Sequence, residues 1–215
     1  MTPAKFGTFR WAIGRISTRD VLDYPGRPRV ALVLSLQIDP ARIADLEPWH
    51  ADQLAALFEH HGPDFYEWLP WEHFEQVDAA RGFIEGFTRG RADDTRRLFG
   101  IWVDDELVGG TLFPSINPRA GSAEVGVFIA ESARGRGIVT RTVAAMLDWA
   151  FVERGLHRVE WKCAPGNAAS RRIPERLGFT HEGTLRETFR VREVRHDLEV
   201  WAILDREWSG LPPAR

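Results

Sequence analysis

A chain of 215 residues, 44% apolar and 27% charged, is long enough for one sizeable domain with a complete core and a short extension. Its net charge of −3 argues against a nucleic-acid binder working through a basic surface, and no apolar run reaches the roughly 18 residues of a membrane span. The single cysteine, Cys163, excludes an intrachain disulfide framework; with no secretion-signal core in residues 1–29, it fits a protein of the reducing cytoplasm.

Residues 1–29 carry Pro25, Pro28 and scattered apolar positions, so they read as an N-terminal extension, poorly ordered or packed on the domain, which itself spans 30–210. Val30 to Ile38 reads as a first strand, and Ala51 to His60 as a helix with Leu54, Leu57 and Phe58 on one face. His50, His60 and His61 cluster in sequence, but no carboxylate or cysteine at ligand spacing accompanies them; a solvated helix surface is expected, and no metal. Gly62 to Glu72 reads as a loop. Phe74, Val77, Arg81, Ile84 and Phe87 mark a second helix, with Glu72, Glu75 and Asp78 near its positive end. Leu98–Val103 and Leu107–Phe113 are two strands joined by a tight hairpin at Asp104-Asp105-Glu106.

The stretch Ala123 to Arg154 follows, and the rest of the chain serves it. Val125, Val127 and Ile129 alternate with smaller residues, beside Phe128, as in a buried strand. Val139, Val143, Met146, Leu147, Ala150 and Phe151 recur at helical spacing, and Gly155 suits a left-handed C-terminal cap. Between them stands Arg134-Gly135-Arg136-Gly137. Glycines there let a ligand approach the backbone, and the unpaired first amides of the helix, with two arginines, favour phosphate. A solvated surface turn explains the four residues alone as well. A Walker loop is excluded because no Gly-Lys-Ser/Thr run exists, and the dinucleotide fingerprint because the turn has two glycines rather than three.

Arg158–Cys163 reads as a further strand, with Cys163 a small buried thiol rather than a nucleophile. Asn167 can cap a helix running to Leu177, which Gly178 stops. Phe179 restarts a strand, and Glu193–Leu204 supplies the last. Strands first, then strand-helix-strand-helix-strand, gives a mixed α/β (α+β) class with one sheet of about six to seven strands and about four helices.

These blocks together resemble the GNAT superfamily of acyl-coenzyme A-dependent N-acyltransferases, most closely its RimJ/RimL-type branch, which modifies N-terminal amines of ribosomal proteins. The matching residues are Arg134-Gly-Arg-Gly-Ile138, Asn167-Ala-Ala-Ser170, Leu177-Gly-Phe179 and Glu182-Gly183, and the resemblance covers about residues 30–208. The family's loop, Gln/Arg-x-x-Gly-x-Gly/Ala, fits at five positions, the sixth being Val139. The resemblance implies a sheet splayed between two parallel strands, with acetyl-coenzyme A in the opening. Backbone groups of Val127, Phe128 and Ile129 would pair with the pantetheine arm, and the amides of Arg134, Gly135, Arg136, Gly137, Ile138 and Val139 would hold the pyrophosphate. Asn167 and Ser170 match positions reaching the cofactor, although Asn167 could equally be a plain helix cap.

For the chemistry, Glu124 matches a family position for the base that deprotonates the amine, with a structural strand-to-strand carboxylate as the open alternative. Glu187, after an expected Glu182-Gly183 turn, is a second candidate. The family's usual tyrosine acid falls on Pro174, which puts that scheme in doubt and forces a kink or a tight helix start; Ser170 could instead donate to the departing thiolate, as proposed for the closer branch. Trp68, Trp71 and Glu72 lie where the family lines its acceptor side, and aromatic faces with carboxylates suit a cationic amine; core packing and helix capping are the alternative. The expected activity is acetyl transfer to a primary amine by direct attack in a ternary complex. The acceptor is a protein N-terminus first, then a small amine such as an aminoacyl conjugate or antibiotic; a non-catalytic acyl-coenzyme A-binding module is the third reading. Apolar residues and nine tryptophans leave a homodimer open.

Overall fold

The computed structural model describes residues 12–15, 32–71 and 73–210. Within them run nine strands: β1 (Ala12–Arg15), β2 (Leu32–Ile38), β3 (Ala41–Asp45), β4 (Arg97–Val103), β5 (Glu106–Asn117), β6 (Ser122–Ile129), β7 (Arg158–Cys163), β8 (Thr180–Val191) and β9 (Val194–Leu204). Four α-helices join them: α1 (Ala51–Tyr66), α2 (Val77–Ala92), α3 (Ile138–Asp148) and α4 (Ala168–Leu177). All strands lie in one sheet of order β1-β2-β3-β4-β5-β6-β7-β9-β8, antiparallel except for β6 and β7. No described helix is long and apolar enough to cross a membrane.

The sheet exceeds expectation by two strands. β3 is a five-residue segment that follows β2 directly and pairs with both β2 and β4, and its brevity hid its alternation. β1 is the described part of the N-terminal extension and pairs with β2; the rest of residues 1–29 lies outside the described residues. α1 also runs further than expected, through Gly62 and Pro63 to Tyr66. Those two residues read locally as a break. Yet the helix continues and carries Phe65 into an aromatic cluster with Phe58 and Phe128, so tertiary packing overrides them. The Asp104–Asp105 turn has positive φ at both residues (50° and 64°), the geometry of a two-residue hairpin.

Alternation divides the core between the two faces. On β4, Leu98 and Trp102 join the cluster beneath α1 and α2, while Phe99, Ile101 and Val103 join the one beneath α3 and α4. β6 follows the same rule. Val125 and Ile129 face α3, and Phe128 faces α1 and α2. Glu124 and Gly126 therefore also look toward the α1–α2 side.

Close approach of β5 to β6 aligns the strand that borders the site. Gly110 sits opposite Phe128, and a Cβ there would stand 2.5 Å from the Phe128 ring; at Gly109 it would run into the Phe128 carbonyl. Gly126 has room, its nearest neighbour being Leu112 at 3.6 Å. Urea unfolding should therefore show Gly109→Ala to be destabilised by about 2 kcal/mol or more, while Gly126→Ala stays within about 1 kcal/mol of wild type. Equal effects would mean that β6 can move away from β5.

Candidate active site

β6 and β7 are hydrogen-bonded over three registers only: Ser122↔Arg158, Ala123↔Val159 and Glu124↔Glu160. Beyond Glu124, β6 stays paired with β5 as far as Ile129, and β7 with β9 as far as Cys163, but the two no longer pair with each other. Their facing edges, Val125–Ile129 and Trp161–Cys163, turn main-chain donors and acceptors into a cleft of about 1100 Å³. That is slightly above the ~300–1,000 Å³ common for small-molecule sites. Such groups need partners, and an extended ligand carrying amides can supply them as an added strand would. Val127, Phe128 and Ile129 all border this opening.

The glycine turn closes one end. Gly135 and Gly137 take positive φ (75° and 71°), and Gly137 is the N-cap of α3. A side chain at Gly137 would also meet Arg141, whose Nη2 donates to the Arg136 carbonyl at 2.8 Å. No acid sits in the first turn of α3, so the positive end of its dipole is uncompensated by its own residues. Arg134, Gly135, Gly137, Ile138 and Val139 line the cleft. Arg136 does not; its contribution is the carbonyl that anchors Arg141.

Across the opening, Asn167 caps α4 by accepting from the Ser170 amide at 3.0 Å, the capping role anticipated for it, and still borders the cleft. Ser170 Oγ accepts from Trp161 Nε1 at 3.2 Å, so its own proton is the one it can give to a neighbour, and Cys163 is within its reach. α4 runs continuously through Pro174, whose missing N–H relieves the Ser170 carbonyl of its usual helical donor. Cys163 is buried, as expected of a small core thiol, and it lines the cleft. Burial, with the Glu199 carboxylate close by, pushes that thiol up to about 11, and hydrogen bonds from Ser170 and Trp161 only partly offset the rise. Near neutrality it is a thiol, not a nucleophile. The one described tyrosine does not replace the tyrosine acid. Tyr66 lies outside the cleft, donates to Glu75 Oε2 at 2.8 Å, and is pushed up to about 12 by burial and that carboxylate.

The opposite wall comes from the α1–α2 connection. Trp68 lies half-buried between two elements, its indole over Gly166 (a Cβ there would be 3.2 Å from it) and its ring centroid 6.1 Å from that of His196. Trp71 is a packing residue at the same time as it borders the cleft: it stacks on Phe74 at 5.5 Å and meets Phe128 edge-on at 5.2 Å. Asp64 and Glu67 join this wall, whereas Glu72 lies outside the described residues.

Glu124 stands where the parallel strands part, with Oε2 2.7 Å from Lys162 Nζ. Lys162 also reaches Glu160 at 3.3 Å, and Arg158 then joins Glu160 to Glu182. Burial disfavours the Lys162 charge, but Glu124 and Glu160 outweigh it and hold the ammonium above its ordinary value. Strand-to-strand bonding by Glu124, the structural alternative, is therefore present, and the residue also lines the cleft.

Glu187 is not part of the site. The expected Glu182-Gly183 turn is instead continuous strand, and Glu187 sits beyond it at a register shift of β8, with its amide bonded to Asp197 and no place in the cleft lining. Lys162, Trp161, Arg172 and Arg176 were missed from sequence. The alternation of Arg158–Cys163 does put Glu160 and Lys162 on one face, but their meeting with Glu124 depends on the parallel register.

Residues 44–180 match the sequence profile of the acetyltransferase (GNAT) domain. The chain is 34% identical to the putative ribosomal N-acetyltransferase YdaF of Bacillus subtilis over 167 residues, covering 77% of this chain and 91% of that one. It is 27% identical to the ribosomal-protein-serine acetyltransferase of Escherichia coli over 162 residues, covering 70% and 90%. Its fold matches that of RimL, the ribosomal L7/L12 α-N-protein acetyltransferase solved with coenzyme A, with a TM-score of 0.73 at 22% identity over 78% of this chain and 95% of that one. With its parting parallel strands and glycine turn in the positions described above, the chain belongs to the GNAT acetyltransferase family.

Proposed function

We propose that this acetyltransferase moves an acetyl group from acetyl-coenzyme A to a primary amine, the N-terminal amine of a protein or peptide. The observation that carries the reading is the sorting of charge around one cleft. Arg134, Arg172 and Arg176 line the walls formed by the glycine turn and α4, while Asp64, Glu67 and Trp68 line the α1–α2 wall. Lys162 is engaged by two glutamates, and Arg96 lies against the Phe87 ring. A polyanionic cofactor and a cationic amine therefore enter from different sides and meet between β6 and β7.

Acetyl-coenzyme A, when bound, supplies an acyl group activated as a thioester. The chain's own residues do the rest. The open edges of β6 and β7 hold the arm, and the amides of the glycine turn hold the diphosphate. Trp68 with Asp64 and Glu67 orients the ammonium of the acceptor. Glu124, through the oxygen not held by Lys162 or through a water, receives the proton the amine must lose before it attacks. Ser170, keeping its own proton, would donate a hydrogen bond to the sulfur as the carbon–sulfur bond gives way to the new carbon–nitrogen bond, and the departing thiolate would take its proton from solvent. Relatives named as ribosomal-protein acetyltransferases support a protein N-terminus as acceptor. Incubation with acetyl-coenzyme A and a mixture of free-amino-terminus peptides and small amines, read by mass spectrometry, should give N-terminally acetylated peptides. Acetylation confined to small amines would overturn that acceptor.

Three variants test the parts separately. Gly137→Ala should lower coenzyme A affinity at least tenfold by calorimetry, with a stability loss of only about 1–2 kcal/mol for the left-handed backbone; unchanged affinity would remove the turn from the site. Ser170→Ala leaves the helix cap intact, because the cap uses the Ser170 backbone amide. Turnover should drop about 100-fold with the KM for acetyl-coenzyme A within about twofold, and full turnover would end the donor role. Trp68→Ala should raise the acceptor KM about tenfold while the KM for acetyl-coenzyme A barely moves; equal rises would mark Trp68 as packing.

A further inference from the structure

α4 turns two kinds of arginine outward. Arg171 is committed, with Nε 3.0 Å from Glu199 and Nη2 3.8 Å from Glu175. Arg172 and Arg176 are exposed, line the cleft together with Ala169 and Ile173, and have no acidic partner among the described residues. In a chain with more acids than bases, two cations left unneutralised on one helix face ask for an external anion. Four residues apart, they are neighbours one helical turn, about 6 Å, apart, close enough for both guanidinium groups to converge on a single phosphate.

The diphosphate does not need them. Its two charges are answered by the α3 amides, the Gly135–Gly137 turn and Arg134 on the other side of the opening. Coenzyme A carries a second anionic centre, the 3′-phosphate of its nucleotide, a dianionic monoester with three terminal oxygens. Arginine forks suit that group better than a diffuse positive surface does, because each can bind it through two parallel hydrogen bonds. We propose that Arg172 and Arg176 form the 3′-phosphate subsite and so make this enzyme discriminate coenzyme A from its 3′-dephospho form. The proposal rests on the acetyl-coenzyme A reading of the cleft and assigns a specificity to a helix face that the chemistry itself does not use.

Calorimetric titration of the wild-type chain and of Arg172→Ala/Arg176→Ala with coenzyme A and with 3′-dephospho-coenzyme A tests it. Wild type should bind coenzyme A at least tenfold more tightly than the dephospho form. The double variant should lose that preference through weaker coenzyme A binding, with dephospho-coenzyme A affinity changed less than twofold. The matched dephospho measurement guards against a folding artefact, and Arg172→Lys/Arg176→Lys should recover only part of the preference. If the double variant weakens both ligands equally, or neither, or if wild type binds both alike, the subsite is wrong while the cofactor site stands. Should wild type bind neither ligand, the acetyl-coenzyme A reading fails and the subsite with it.

Discussion

The structure depends on the early parting of two parallel strands. β6 and β7 share three registers and then separate, although each remains hydrogen-bonded to its other neighbour. A sheet ordinarily consumes its own main-chain groups, so an interior opening between two well-supported strands is costly unless something else uses those groups. Both strands are held rigidly on their far sides, β6 by glycine-permitted contact with β5 and β7 by a six-residue ladder to β9. The opening is thus preorganised, and ligand binding need not separate a closed pair.

Charge and polarity follow from that opening. Because successive side chains alternate, odd positions of β6 and β7 (Val125, Val159, Trp161, Cys163) serve the α3–α4 face, and Glu124, Glu160 and Lys162 serve the other. The hydroxyl of Ser170 is reached from the first face through Trp161, and the carboxylate chain lies on the second. Ser170 and Glu124 therefore lie on opposite sides of the sheet plane, with the cleft passing between them.

Two aromatic residues three positions apart illustrate how context divides labour. Trp71 is locked into rings of Phe58, Phe74, Phe83 and Phe128, so its boundary with the cleft is a by-product of core packing. Trp68 lies over a glycine and near a histidine from distant parts of the chain, contacts that couple the α1–α2 connection to the β7–α4 connection and to β9. Pro174 shows the same dependence differently. It leaves the Ser170 carbonyl without its usual helical donor, and α4 still runs through it to Leu177.

What the sequence alone determined was whatever neighbours within a few residues decide. The alternation of Val125, Val127 and Ile129, the need for glycine at 135, 137 and 178, the Asn167 cap and the family blocks were all legible, because turn sterics and helical period act locally. The end of α1, the extra strand β3, the length of β8 and the removal of Glu187 from the site were not legible, since packing and register across the sheet overrode local signals there. Only the tertiary structure could bring Lys162 to Glu124, separate Trp68 from Trp71 and leave Arg172 and Arg176 without acidic partners among the described residues. Each of those relations joins residues far apart in the chain, and a single register step would have sent their side chains to the opposite face.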